Sequence, residues 1–163
     1  MTEEKRDEFP YYTGMYTHRD QPGGYSLTVP TDWHQHTMKK KHHGMLFSPY
    51  PDDINTCILA EKHKLKYKVT VDDLVTSRDG FEKGIKDLPG VEIESLEESL
   101  SDMVNVFEAR FTFLDDGVRR KRWVKNIYWG EGQLVLIAQG RTVEDFDYWL
   151  PMFYNTMMTA QVL

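Results

Sequence analysis

A chain of 163 residues with a formal net charge of -6 is one domain's worth of sequence, and its acidity excludes a general nucleic-acid binder, which needs a positive footprint. Aromatic residues make up 13% of it, including four Trp and eight Phe, enough to build a core without disulfides or metal. The single cysteine, Cys57, excludes an intramolecular disulfide, and no apolar run approaches the roughly 18 residues that a membrane span needs. The start, MTEEKRDEFPYYTG, lacks the apolar segment of a secretory signal, so the sequence reads as cytoplasmic. No linker or repeat divides it, and residues 1–163 read as a single domain with 1–9 a flexible tail.

Tyr11 to Tyr16 reads as a first strand, stopped by the cluster His18-Arg19-Asp20-Gln21-Pro22-Gly23-Gly24. Tyr25 to Pro30 is a short strand with Tyr25, Leu27 and Val29 on one face, and Pro30, lacking an N–H, ends its ladder. Thr31-Asp32-Trp33 turns the chain and sets Trp33 over the end of a sheet. His34–Met38 and Gly44–Ser48 pair across the basic connection Lys39-Lys40-Lys41-His42-His43. After a loop from Ser48 to Asp53, Thr56 to Lys62 is an interior strand, with Cys57 and Leu59 facing one way and Ile58 and Ala60 the other.

Thr70, with Asp73 three residues on, is a capping-box-like helix start, and Leu74, Arg78, Phe81, Ile85 and Leu88 keep helical spacing as far as Pro89-Gly90. Val91–Ser95 is the next strand, leading through Ser99–Asp102 into a three-strand meander from Phe107 to Gly140. In its first strand Phe107, Ala109, Phe111 and Phe113 alternate with Glu108, Arg110 and Thr112, the period of a strand with one packed face. Asp116-Gly117 suits a type I′ turn, Gly130-Glu131-Gly132 makes the second reversal, and Leu134–Ala138 is an unbroken apolar run that needs cover on both faces. A second helix starts at Thr142, with Asp145 in the capping role. Its apolar stripe is broad: Val143, Phe146, Trp149, Leu150, Phe153, Met157 and Ala160. Pro151 predicts a kink or a fresh helix start, and this helix is expected to cover the Phe face of the meander.

An opening Gly-Tyr-Ser-Leu-Thr-Val-Pro-x-x-Trp (Gly24 to Pro30, then Trp33), a capped helix, a three-strand meander and a closing Phe146…Pro151-x-Phe153…Met157 helix together resemble the PsbP/Mog-like superfamily, over residues 11–162. The resemblance implies an α+β fold, an α/β/α sandwich with a central, mostly antiparallel sheet and helices on both faces. It implies non-catalytic binding or assembly and brings no catalytic motif. The bacterial, functionally unassigned branch fits this sequence best.

Candidate chemistry is sparse. His34 and His36 share a strand face, with His42 and His43 across the hairpin, but zinc needs three or four ligands in near-tetrahedral array and the lone cysteine lies in an apolar run. The reading is a polar hairpin, and no metal or cofactor is assigned. Arg119-Arg120-Lys121-Arg122 looks like a basic patch, yet alternation on a strand splits it between two faces, with Asp115, Asp116, Glu108 or Arg110 as neighbours. An anion site would need this tract to adjoin Lys39–His43 in space. The acid pairs Asp52-Asp53, Asp72-Asp73 and Asp115-Asp116 each have a local use in a loop, a helix start and a turn, and Cys57 reads as an inert buried thiol. Tyr11, Tyr12, Tyr16, Tyr148, Trp149 and Tyr154 exceed what a small core needs and are compatible with a groove, a protein contact or a homo-oligomer. The expectation is therefore no enzyme, no nucleic acid and no membrane. What remains is a protein-interaction or assembly module, or a small-ligand or anion-binding protein with a pocket between sheet and helix.

Overall fold

The computed structural model describes residues 9–10, 14–37 and 43–163. Along them run β1 (Met15–Asp20), β2 (Tyr25–Pro30), β3 (His34–Thr37), β4 (His43–Ser48), β5 (Cys57–Lys64), α1 (Val71–Lys86), β6 (Glu92–Ser99), β7 (Asn105–Asp115), β8 (Val118–Trp129), β9 (Gly132–Gly140), α2 (Val143–Thr159) and β10 (Gln161–Val162). Seven strands form one antiparallel sheet in the order β3-β4-β5-β9-β8-β7-β6, and β1, β2 and β10 form a second antiparallel sheet with β2 at its centre.

The meander forms because each of its choices agrees with the next. Asp116 (φ 50°) and Gly117 (φ 78°) both occupy the left-handed region that a type I′ turn requires, which fixes Asp115 opposite Val118 and every pair behind it. Phe107, Ala109, Phe111 and Phe113 are buried, as the alternation predicts. Their covering helix, however, is α1 rather than α2: Ile85, Phe81 and Leu88 pack with Phe111 and Phe113, and Leu74 packs with Phe107. Chain geometry explains the exchange. Only Arg141 and Thr142 separate β9 from α2, so α2 folds back on the face that shows Leu134, Leu136 and Ala138. It returns so closely that a Cβ on Gly140 would collide with the backbone of Phe146. The longer connection 65–70 carries α1 to the opposite face.

The expected α/β/α sandwich is not what the chain builds. The described residues are mostly strand, in two antiparallel sheets, with only two helices. The reason lies in α2, whose buried residues Phe146, Trp149, Met152, Phe153, Thr156 and Met157 are too widely spread around the helix for one sheet to cover. The second sheet takes the remainder: Tyr25, Leu27 and Val29 of β2 join Trp33, Phe47, Trp123 and Leu136 in one core around α2. Trp33 sits edge-on to Trp149 at 5.5 Å within it.

Three boundaries also differ from expectation. β1 runs through His18, Arg19 and Asp20, the residues read as a strand stop, because Asp20 closes the following turn with its side chain (Gly23 N–H to Asp20 Oδ1, 2.8 Å) and keeps its backbone in register with Tyr25. No new helix starts at Pro151; α2 is continuous across it to Thr159, and Ala160 is the cap from which β10 pairs with β2. β6 extends to Ser99, with a bulge between Ile93 and Ser95. Tyr11 and Tyr12 lie outside the described residues, as do Lys39–His42 and the side chain of His43. No helix among the described residues is long and apolar enough to cross a membrane.

Candidate functional site

The conspicuous basic strand is consumed by structure. Arg119 donates to Gly90 O (3.0 Å) and Thr112 Oγ1 (2.9 Å), and Arg120 to Asp115 Oδ2 and Arg141 O (both 2.8 Å). Lys121 lies 3.0 Å from Glu94 Oε2, and Arg122 donates to Gln139 Oε1 (2.9 Å) while stacking on Phe113. Of the neighbours expected from sequence, Asp115 does take Arg120, whereas Arg110 lies over the Trp123 ring at 4.0 Å and Glu108 accepts from the Trp123 indole. The Lys39–His42 half of the anion site proposed from sequence falls outside the described residues.

The other candidates disperse as well. His34 and His36 stand opposite Ser48 and Leu46, and no group of three metal-ligating side chains occurs among the described residues. Burial pushes the Cys57 thiol up to about 12, against a smaller opposite pull from Arg122, so it stays protonated at neutral pH. Asp73 accepts from the Thr70 N–H and hydroxyl (both 2.8 Å), and Asp115 pairs with Arg120. Among the aromatics, Tyr16, Tyr148 and Trp149 pack on the main core, and Tyr154 is exposed beside Trp123.

One network escapes sequence reading. The Asp145 N–H donates to the cap hydroxyl of Thr142 (3.1 Å), and its buried carboxylate accepts from Thr56 Oγ1 (2.9 Å) and pairs with Arg141 Nε (2.7 Å). Arg141 also donates to Asp53 Oδ2 (3.2 Å), lies over the Tyr50 ring at 4.7 Å, and passes its backbone N–H to Thr56 Oγ1 (3.0 Å). Burial pushes the Asp53 carboxyl up, but the Asn55 N–H and the Arg141 guanidinium outweigh it and hold it below the usual carboxylate range. This cluster locks the β4–β5 loop to the start of α2, with one guanidinium shared between two carboxylates.

A second region stays open. On the α1 side of the large sheet a cleft of about 330 Å³ lies between the end of β5, the connection 65–69 and the first two turns of α1. Leu65 and Val69 pack with Leu74, Phe107 and Tyr128 to make its apolar floor. Gln133 donates to the Tyr128 hydroxyl (3.1 Å), which Ser77 also reaches; burial raises the Tyr128 pKa, so the phenol keeps its proton. Lys64, Lys66 and Tyr67 form the mouth, with Tyr67 61% exposed. The connection is held as a strap by two backbone bonds to the β8–β9 turn: Leu65 N–H to Glu131 O (2.7 Å) and Val69 N–H to Gly130 O (3.4 Å). A signal for it exists in the sequence: Lys62, Lys64, Lys66 and Lys68 alternate with His63, Leu65, Tyr67 and Val69, an amphipathic extended segment continuing past the strand.

No protein-family model and no curated protein sequence matches the chain. Solved structures do. Cyanobacterial PsbP (CyanoP) from Synechocystis sp. PCC 6803 superposes with a TM-score of 0.69 at 13% identity, covering 98% of this chain and 99% of that one. LpqN of Mycobacterium tuberculosis, involved in cell envelope biogenesis, gives 0.64 at 15% identity over 91% and 90%. PA94 of Pseudomonas aeruginosa, a protein of unknown function and putative regulator, gives 0.55 at 14% identity over 89% and 94%. These likenesses carry the PsbP-like part of the resemblance seen in the sequence and do not show the Mog-like part. Two antiparallel sheets enclosing α2, with α1 on the outer face, are a PsbP-like fold.

Proposed function

We propose that this protein is a non-catalytic binding module that holds a small ligand in the cleft between the 65–69 strap and α1. The observation that carries this reading is the cleft itself: about 330 Å³ with an apolar floor and a few convergent polar groups (Tyr128, Gln133, Ser77), the usual make-up of a small-molecule site. The structural likenesses agree with a binding role, since LpqN and PA94 are described by a process and by regulation rather than by a reaction. A protein-interaction or assembly role is the second reading. It is favoured by Tyr67, Val71 and Val75, which stand 61%, 78% and 51% exposed on the strap and the outer side of α1.

A metabolite screen by thermal shift, followed by amide chemical-shift mapping, tests the proposal. A ligand of the native state raises its stability by mass action, by about 2.7 kcal/mol at a hundredfold excess over Kd. The expected result is saturable binding whose shifts centre on Val69, Ser77, Tyr128 and Gln133. Binding that maps only to the outer side of α1, in pull-down partners, favours the second reading and removes the first.

A further inference from the structure

Resting on that reading of the cleft, we infer its ligand class: a small monoanion with an apolar body, such as a medium-chain or aromatic monocarboxylate. Three observations lead there. First, Lys64, Lys66 and Lys68 are exposed and make no ion pair among the described residues, whereas the arginines of β8 are all engaged. Four lysines within seven residues, in a chain of net charge -6, are a local concentration of positive charge, and two of them, Lys64 and Lys66, line the cleft.

Second, the one carboxylate lining the cleft is already committed. Asp73 accepts from both donors of Thr70, whose backbone hydrogen bond is the main cause holding its carboxyl below the usual range, so it stays ionised at the start of α1 and offsets one of the two lining lysines. Lys64 and Lys66 against Asp73 leave the lining with one uncompensated positive charge, which one anionic head neutralises. A polyanion would instead meet the Asp73 carboxylate as a like charge.

Third, the polar and apolar parts are separated along the cleft. The lysines sit at the mouth, and Leu65, Val69 and the Tyr128 ring line the floor, so an anionic head and an apolar body are satisfied together. The half-buried Gln133 and the buried Tyr128, hydrogen-bonded to each other, add hydrogen-bonding capacity for a single polar substituent.

Isothermal titration of the full chain with octanoate, octanol and inorganic phosphate tests this, using wild-type protein, a Lys64→Gln/Lys66→Gln double variant and Ser77→Trp, which fills the cleft. Octanoate should bind measurably, octanol more weakly and phosphate not at all. The double variant should weaken octanoate roughly tenfold and leave octanol unchanged. Ser77→Trp should abolish both, and amide shift mapping of octanoate on the wild type should centre on Val69, Ser77 and Tyr128 should that variant misfold. Equal binding of octanol and octanoate, insensitive to the lysines but lost in Ser77→Trp, overturns the ligand class and leaves the cleft as a site. Phosphate binding that the lysine variants abolish also overturns the class. Failure of octanoate and octanol to bind, or shifts elsewhere on the protein, overturns the cleft reading as well.

Discussion

Arg141 shows how much a single side chain joins. It bridges Asp53 in the β4–β5 loop and Asp145 in α2, and Asp145 is almost wholly buried. Replacing it with Ala removes the cation paired with that carboxylate. Because Arg141 is 40% exposed and water can partly take its place, the expected cost at neutral pH is about 2–3 kcal/mol, below that of breaking a fully buried pair. The sign with pH follows from Asp53. Its folded pKa is depressed, so its contribution is present above the ordinary carboxylate pKa of about 4 and is lost as pH falls through the lower folded value. Urea unfolding of wild type and Arg141→Ala should therefore show a gap that narrows as pH drops below about 4; a gap unchanged across that range would refute the assignment. Little of this is legible locally: Thr142-x-x-Asp145 has the spacing of a capping box, and only the fold brings Thr56, 89 residues away, to the carboxylate.

At the scale of the element, α2 reports the architecture. Thr156 Oγ1 donates to Thr28 O in the small sheet (2.6 Å), while Met157 O accepts from Lys125 Nζ in the large one (3.2 Å), so the helix is held from two sides. Packing on both sides explains why Pro151 does not break it. Pro151 is exposed, and the Asp147 carbonyl it leaves without an intrahelical donor is on an exposed residue too, where water can satisfy it. Pro151→Ala should then stabilise the protein by about 1 kcal/mol, and thermal unfolding checks it. An unchanged or lower Tm would mean the proline is needed to shape the helix. The breadth of the apolar stripe was visible in the sequence, but whether a second helix or a second sheet meets it depends on where β2 and β10 pair.

For the molecule as a whole, Cys57 is a built-in probe. It lies on β5, inside the large sheet between β4 and β9, only 6% exposed and with its thiol pKa pushed up to about 12. Alkylation at neutral pH should be gated by global opening, with a rate whose logarithm rises linearly with denaturant at a slope set by the equilibrium m-value. Fast labelling of the native protein would show that β5 opens on its own.

The strands of the meander, both helix starts and the inert character of Cys57 were determined by the sequence alone, because turn angles, capping and alternation are local and each acts over a few residues. Four things needed the tertiary structure: which helix covers the Phe face, the second sheet, the fate of the basic strand and the cleft. Each depends on contacts between segments far apart in the chain. The short β9–α2 link sends α2 to one face, the long 65–70 connection sends α1 to the other, and the strap left between α1 and the sheet encloses the space that Lys64 and Lys66 rim.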